Sequence, residues 1–405
     1  MRCVLHIGTE KTGSTTIQDF LHANTLQLLA QGVGLCKAAG APNNRRLAAY
    51  FSRQPDDYWR THHLRTAADH ARHFDGFLDG LRAEFARLAE TCHSVVISAE
   101  HFHSRLRHPE DIAALRDFLL SCFDEVQVLV YLREQSELAR SLYSTAMRSG
   151  LSNPPETMFD RIDPDDPYYN YDLFLSKWAD VFGQGAIRAV LFDRAEFAGG
   201  DIRRDVVRRM LPGVDADRLD FSRPPANEAL GLIRLELLRR INASLPRGQG
   251  DAQRNALRTR LVKFVAGGAG LDLGRFRNPR AAQVHAAFDA SNRAFARRFL
   301  GRDDNPFPAP PADQPLRDWQ GATPDAVLAA TMQAVEGMLA ILTGRDAFAE
   351  DDADRLRDIA LNHERGTPLS RADAAYLMGK AALLRPNGQK LQRKLAEWTA
   401  AGPEG

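Results

Sequence analysis

Short apolar runs alternate with longer amphipathic stretches through the first half of the chain. The runs with the length of buried strands are 4–7, 32–36, 94–98, 126–132 and 187–192. Between them, apolar side chains recur at helical spacing. Strands that alternate with helices need crossover connections, which predict a parallel sheet covered by helices on both faces. We therefore predict an α/β fold of the P-loop-like, three-layer kind.

The second half of the chain is mainly helical in pattern. The predicted α/β core is 1–195, and 196–304 add helices to it, so that one domain ends near residue 304. A proline-rich break, 305–320, follows. The remaining 321–405 form a predicted helical C-terminal appendage. A short helical unit cannot bury its own apolar face, so we expect it to pack on the main domain or on a partner.

Polar residues follow three of the predicted strands where each strand ends. These segments are 8–16, 98–101 and 133–141. The carboxyl ends of parallel strands lie at one edge of a sheet, and ligands of such folds bind there. We therefore expect the three segments to meet.

The first polar segment has the composition of an anion site. Gly8 to Gly13 is a polar loop, and a helical pattern begins directly after it. The unpaired N–H groups and positive dipole end of that helix favour a phosphate-like group. Lys11 adds a full charge within the loop. The hydroxyls that add donors belong to Thr12, Ser14, Thr15 and Thr16.

This loop departs from the triphosphatase pattern G-x-x-x-x-G-K-[ST], in which Lys directly precedes the helical Ser or Thr. Here Ser14 follows Gly13 in the place of that Lys, and Lys11 lies inside the loop. No Asp at a strand end is evident to hold magnesium. Lys11 is thus placed to stabilise charge on a leaving phosphate oxygen without a metal. A P-loop nucleotide kinase or NTPase remains an alternative.

The run Lys-Thr-Gly-Ser-Thr-Thr at 11–16 resembles the 5′-phosphosulfate loop of sulfotransferases that use 3′-phosphoadenylyl sulfate (PAPS). Arg133 at a strand end, with Ser141 eight residues later, resembles the second signature of that family. Glu100 follows the intervening strand, where the family has its general base. The resemblance covers about 1–195 well and thins beyond it.

The resemblance implies in-line transfer of a sulfuryl group from PAPS to an acceptor hydroxyl, with adenosine 3′,5′-bisphosphate as product and no metal. Lys11 would neutralise the departing bridging oxygen, and Glu100 would take the acceptor proton. The implied cofactor-binding residues are Thr12, Gly13, Ser14, Thr15 and Thr16 at the 5′-phosphate and Arg133 and Ser141 at the 3′-phosphate.

Two roles in the predicted site have more than one candidate residue. His101 and His103 compete with Glu100 as the base. Cytosolic members of the family also hold the 3′-phosphate with a late Arg-Lys-Gly stretch, which this chain lacks. The residues that could substitute are Arg275, Arg277 and Arg280.

Composition and charge narrow the possible partners, structural cross-links and cellular location of the protein. A formal net charge of +1 over 405 residues gives no electrostatic case for a nucleic-acid partner. The four cysteines are isolated in the sequence, so neither a disulfide scaffold nor structural zinc is expected. Residues 1–7 lead straight into the loop rather than forming a signal peptide, and no apolar run approaches the length of a membrane span. We expect a cytoplasmic protein that meets any membrane-bound substrate at the membrane surface.

The class of acceptor is predicted from the base and from one later segment of the chain. A Glu as base, and the bacterial form of 178–183, favour a hydroxyl on a carbohydrate or glycolipid. A non-catalytic nucleotide-binding scaffold, whose helical appendage recruits a partner, is an alternative of a different class.

Overall fold

The computed structural model describes residues 1–52, 54–223, 230–248, 251–267, 271–319, 321–342, 352–361, 371–385 and 388–400. Its main sheet consists of β1 (Arg2–His6), β2 (Val33–Leu35), β3 (Ser94–Ser98), β4 (Glu125–Leu132) and β5 (Ile187–Leu191). The strand order is β2-β3-β1-β4-β5, and every neighbouring pair is parallel. This arrangement confirms the predicted fold class and the predicted strands.

Helices connect and follow the strands. They are α1 (Ser14–Ala23), α2 (Thr25–Leu29), α3 (Arg45–Phe51), α4 (Asp57–Thr61), α5 (Ala67–His73), α6 (Phe77–Ala89), α7 (His101–Arg105), α8 (Pro109–Leu120), α9 (Gln135–Ser149), α10 (Glu156–Phe159), α11 (Tyr171–Phe182), α12 (Ile202–Met210), α13 (Leu232–Ser244), α14 (Ala252–Gly267), α15 (Ala281–Ala287), α16 (Asp289–Phe299), α17 (Pro324–Leu342), α18 (Asp352–Leu361), α19 (Arg371–Leu384) and α20 (Gln389–Ala400).

The sheet buries both of its faces, as the apolar runs predict. Side chains alternate along a strand, so Cys3 and Leu5 of β1 enter one core and Val4 enters the other. Helices α6, α8 and α11 contribute to the first core, and α1 and α12 contribute to the second. Burial of a side chain such as Leu5, which is fully covered, contributes roughly 1.5–3 kcal/mol. A three-layer core that is buried on both faces of the sheet therefore carries the strand ends.

A second sheet is not predicted by the sequence pattern. It pairs β6 (Arg275–Phe276) with β7 (Arg317–Asp318) in antiparallel fashion. Strands of two residues are too short to show an apolar period, so composition alone could not reveal them.

The chain divides into two compact units. The first contains Met1–Arg240 and Asp272–Ala322, and the second contains Ile241–Leu271 and Thr323–Gly405. Within the second unit, α18, α19 and α20 share an apolar core that includes Met378. The structure thus groups 241–271, which the sequence pattern assigns to the large domain, with the C-terminal helices.

One described helix corrects the expectation about membrane-spanning length. By length and composition alone, α17 is long and apolar enough to cross a membrane. Single polar residues such as Thr331 and Gln333 interrupt its apolar positions, which hides its length in the sequence. Only 17% of its apolar window is buried, and Leu328, Met332 and Leu339 are exposed.

Candidate functional site

The loop at 8–13 begins where the central strand of the sheet ends. The N–H of Thr9 donates to the carbonyl of Tyr131 at 2.9 Å, which fixes the loop to β4. On the other side, Gly8 has a φ of 102°, and a Cβ there would lie only 3.0 Å from the Cα of Glu100. Glycine is required at this position. The loop therefore touches the ends of β3 and β4, and the predicted convergence of strand ends is confirmed.

The turn into α1 leaves helix N–H groups for a ligand. Gly13 has a φ of 77°, and a Cβ there would lie 2.9 Å from Cδ1 of Ile202. Gly13, the residue that precedes α1, has no side chain that could cap the amino end of this helix. The hydroxyls of Thr12 and Ser14 instead donate to the carbonyl of Thr9, at 2.7 and 3.4 Å. They brace the loop, and their backbone N–H groups remain the predicted ligand contacts.

Among the other predicted 5′-phosphate residues, Thr15 is exposed on the first turn of α1 and Thr16 is buried. The loop also holds Lys11 at a φ of 65°, a left-handed conformation that side chains other than glycine rarely adopt. Such backbone strain concentrates at functional sites, where surrounding contacts maintain it. The geometry is therefore that of a preformed loop.

Lys11 lies in the field of two carboxylates. Burial lowers the pKa of its ammonium, and the charges of Glu10 and Glu100 act in the opposite direction. The net shift is downward. A partly desolvated ammonium interacts more strongly with a developing negative charge than a hydrated one does.

Glu100 is held by two amide donors that the sequence interpretation missed. Gln18 Nε2 and Asn43 Nδ2 donate to its Oε2 at 2.9 and 2.8 Å. Its Oε1 accepts no hydrogen bond from a described residue and lies 4.0 Å from Nδ1 of His101. Asn44 Oδ1 accepts from the N–H of Ser98 and so fixes the strand end before Glu100. This leaves one carboxylate oxygen oriented and free to receive a proton.

The two histidines after Glu100 differ in accessibility. Burial lowers the pKa of His101, although the nearby Glu100 opposes the shift. His103 is buried, its Nε2 donates to the carbonyl of Tyr168 at 3.1 Å, and burial lowers its pKa to about 4. His103 is thus engaged in packing, whereas His101 stays beside Glu100 as the alternative base.

A hydrogen bond ties the loop to the segment before α11. The hydroxyl of Tyr168 donates to Oε2 of Glu10 at 2.7 Å. Burial would raise the pKa of Glu10, but this bond, together with contributions from Ser104, His103 and Arg105, outweighs it and lowers the pKa. Glu10 is therefore held as a carboxylate next to Lys11.

Removing this hydroxyl should destabilise the protein. We expect Tyr168→Phe to lower the free energy of unfolding by about 2 kcal/mol, because a largely desolvated carboxylate loses a donor. Urea denaturation followed by tryptophan fluorescence measures the change. The matched control is Tyr169→Phe, whose hydroxyl has no hydrogen-bond partner among the described residues. Equal losses in both variants would contradict the assigned role of the Glu10 bond.

Arg133 reaches the loop from the end of β4. Its Nη1 donates to the carbonyl of Lys11 at 3.3 Å, and its guanidinium lies 5.4 Å from the ring centre of Phe192. Its Nη2 donates to Oε2 of Glu137 at 3.2 Å. Burial lowers its pKa, although a guanidinium stays charged at any physiological pH. The structure thus brings Arg133 and Lys11 together, as the sequence predicts.

The remaining predicted 3′-phosphate residues are distributed around α9. Ser141 is half-buried, one helical turn beyond Glu137. Burial would raise the pKa of Glu137, but Arg140, Arg133 and, with a smaller contribution, the charge of Arg277 outweigh it and lower the pKa. Arg280 instead pairs with Asp160, and Arg275 is an exposed residue of β6. Of the three late arginines, Arg277 is the one whose charge acts on this site.

Glu134 caps the amino end of α9 and is mostly buried. Its Oε2 accepts from the N–H of Glu137 at 2.9 Å, while its Oε1 has no hydrogen-bond partner among the described residues. Burial, with a contribution from the Glu137 charge, raises the pKa of Glu134 to about 6. The native state therefore binds more protons than the unfolded state between the ordinary pKa of 4.5 and about 6.

This shift predicts a stabilising substitution. Ionised Glu134 disfavours the native state above pH 6, and stability recovers as the pH falls towards 4.5. We expect Glu134→Gln to raise the free energy of unfolding at pH 7.5 by up to about 2 kcal/mol and to have little effect at pH 4.5. Denaturant titrations at both pH values measure this, with the exposed Glu125→Gln as control. A gain that is the same at both pH values would refute the ionisation argument.

Comparisons with known proteins add little to this geometry. No family model and no curated protein matches the chain. Among solved structures, it is similar to a sulfotransferase from Alicyclobacillus acidocaldarius, with 17% identity and a TM-score of 0.31 over 64% of this chain and 95% of that chain. So distant a likeness carries no argument about function. Among the described residues, no group of three or more His, Cys, Asp or Glu side chains could hold a metal ion.

Proposed function

We propose that the protein is a sulfotransferase that moves the sulfuryl group of PAPS to an acceptor hydroxyl. The observation that carries this proposal is the juxtaposition of Lys11, Glu100 and Arg133 at three adjacent strand ends. Arg133 bonds the Lys11 carbonyl, and Gly8 of the same loop contacts Glu100. A cation, a base and a guanidinium are the groups that transfer from a doubly phosphorylated nucleotide needs.

In the proposed reaction, the first N–H groups of α1 bind the 5′-phosphate, and Arg133 with Ser141 binds the 3′-phosphate. The acceptor oxygen forms a bond to sulfur as the bridging S–O bond breaks, and that electron pair passes to the 5′-phosphate. Lys11 neutralises the charge on this leaving oxygen. The hydroxyl proton passes to Oε1 of Glu100, while Gln18 and Asn43 hold Oε2.

The proposal also includes the class of acceptor and the cellular location. We assign a carbohydrate or glycolipid hydroxyl as acceptor and the cytoplasm as location, with contact to a membrane only through a lipid-linked acceptor. No nucleic acid and no metal takes part.

A transfer assay tests this function directly. PAPS labelled in its sulfate is incubated with polysaccharide, glycolipid and phenol acceptors, and labelled product and adenosine 3′,5′-bisphosphate are measured together. The proposal expects both products in equal amounts with a carbohydrate-bearing acceptor and without added metal. Magnesium-dependent ATP turnover without any sulfate transfer would favour the kinase or NTPase alternative instead.

A further inference from the structure

Two arginines bind one carboxylate beside the loop, and the charge of a third acts on it. Glu137 accepts from Arg133 at 3.2 Å and from Nη2 of Arg140 at 2.5 Å, and Nε of Arg140 lies 3.1 Å from the same oxygen. The charge of Arg277 also favours ionised Glu137, while Nε of Arg277 donates to Asp318 at 2.9 Å. We call Arg133, Arg140 and Arg277 the arginine cluster.

Glu137 is the most exposed member of this group. Its side chain is 37% exposed, against 20% for Arg133, 15% for Arg140 and 24% for Arg277. A carboxylate on the solvent side can rotate outward, and Arg133 then keeps its bond to the Lys11 carbonyl while Arg277 keeps its bond to Asp318. Displacing Glu137 would therefore release the donors of Arg133 and Arg140 that now bind it, with Arg133 still attached to the loop.

The position of Glu137 coincides with the proposed 3′-phosphate site. Residues four apart are neighbours on a helix, so Glu137 lies one turn from Ser141, and it contacts Arg133 on its other side. The spacing thus places Glu137 on the helix face that also carries Ser141, next to Arg133. Arg133 also bonds the Lys11 carbonyl, which makes the arginine cluster continuous with the loop.

We propose that Glu137 is an internal counterion that occupies the arginine cluster until the 3′-phosphate of the nucleotide displaces it. This inference rests on the proposed function. A phosphate group carries more charge than a carboxylate and offers three acceptor oxygens, so it can replace Glu137 on the arginines. A nucleotide without a 3′-phosphate cannot do so. Glu137 therefore sets both the affinity for the 3′-phosphate and the preference for nucleotides that carry one.

Calorimetry on the full chain tests this with two nucleotides. Adenosine 3′,5′-bisphosphate carries the 3′-phosphate, and adenosine 5′-monophosphate lacks it. We expect Glu137→Gln to bind the bisphosphate about tenfold more tightly than the native protein does, because the amide keeps an acceptor for Arg133 but not the competing charge. The monophosphate should bind the native protein and Glu137→Gln with affinities that agree within about twofold.

Two further variants complete the test. Glu125→Gln removes the same charge from an exposed site at the opposite end of β4 and should leave both affinities unchanged. Glu137→Asp keeps the charge but shortens its reach, so its affinity for the bisphosphate should lie between those of the native protein and Glu137→Gln.

The outcomes separate this inference from the proposed function. Weaker or unchanged bisphosphate binding by Glu137→Gln would overturn the inference alone and make Glu137 a residue that positions Arg133. An equal gain for the monophosphate would overturn it too, since the effect would then be general electrostatics. Absence of bisphosphate binding by every variant would overturn the proposed function and the inference together.

Discussion

Replacing Lys11 with alanine is expected to lower kcat for sulfate transfer by about a hundred- to a thousandfold. Negative charge develops on the bridging oxygen as the S–O bond breaks, and Lys11 is the loop cation placed to meet it. Its lowered pKa reflects a partly desolvated ammonium, for which this interaction is strongest. The effect belongs to the transition state, so the Kd for adenosine 3′,5′-bisphosphate should rise by less than about tenfold.

Single-turnover rates and calorimetry on the same samples separate these two effects. The exposed Lys37→Ala is the matched control, because it removes a cation without touching the loop. Lys11→Ala with native turnover would remove Lys11 from the mechanism.

Replacing Glu100 with glutamine is expected to lower kcat by about a hundredfold or more, with the Kd for the bisphosphate nearly unchanged. Glutamine keeps the size of the side chain but cannot take the acceptor proton. Gln18 and Asn43 would remain close enough to hold the new amide oxygen, so the loss should come from chemistry rather than from misfolding.

His101→Gln is the informative comparison for this second prediction. Its Nδ1 lies 4.0 Å from Glu100, which makes it the nearest competing base. Full activity of Glu100→Gln together with an inactive His101→Gln would transfer the role of base to His101. A hundredfold loss in Glu100→Gln with a small effect in His101→Gln is the result that the proposed mechanism requires.

The features that could be predicted from sequence are those with local signals. Apolar runs mark the strands, and parallel topology then brings the strand ends together. The meeting of Lys11, Glu100 and Arg133 can therefore be predicted, because each residue lies shortly after an apolar run. Gln18 and Asn43 could not be found in this way. Their contacts with Glu100 join segments that are 82 and 57 residues apart. A single amide side chain also gives no repeating sequence pattern that would indicate its partner.

The same limit applies to the bond between Glu10 and Tyr168, which spans 158 residues. The arginine cluster contains one residue with a local sequence signal and one without. Arg133 follows a strong strand signal, whereas Arg277 arrives with a two-residue strand that leaves no apolar pattern. The hydroxyls of Thr12 and Ser14 show a further limit, because sequence counts them as ligand donors while the loop uses them internally.

The proposed function requires that this site bind a nucleotide with phosphates at both the 3′ and 5′ positions. The most direct measurement is calorimetry of the native protein with adenosine 3′,5′-bisphosphate, and separately with ATP and magnesium. The bisphosphate should bind at one site per chain, at least about tenfold more tightly than ATP, and magnesium should not change either affinity. Tighter binding of ATP that depends on magnesium would contradict the account.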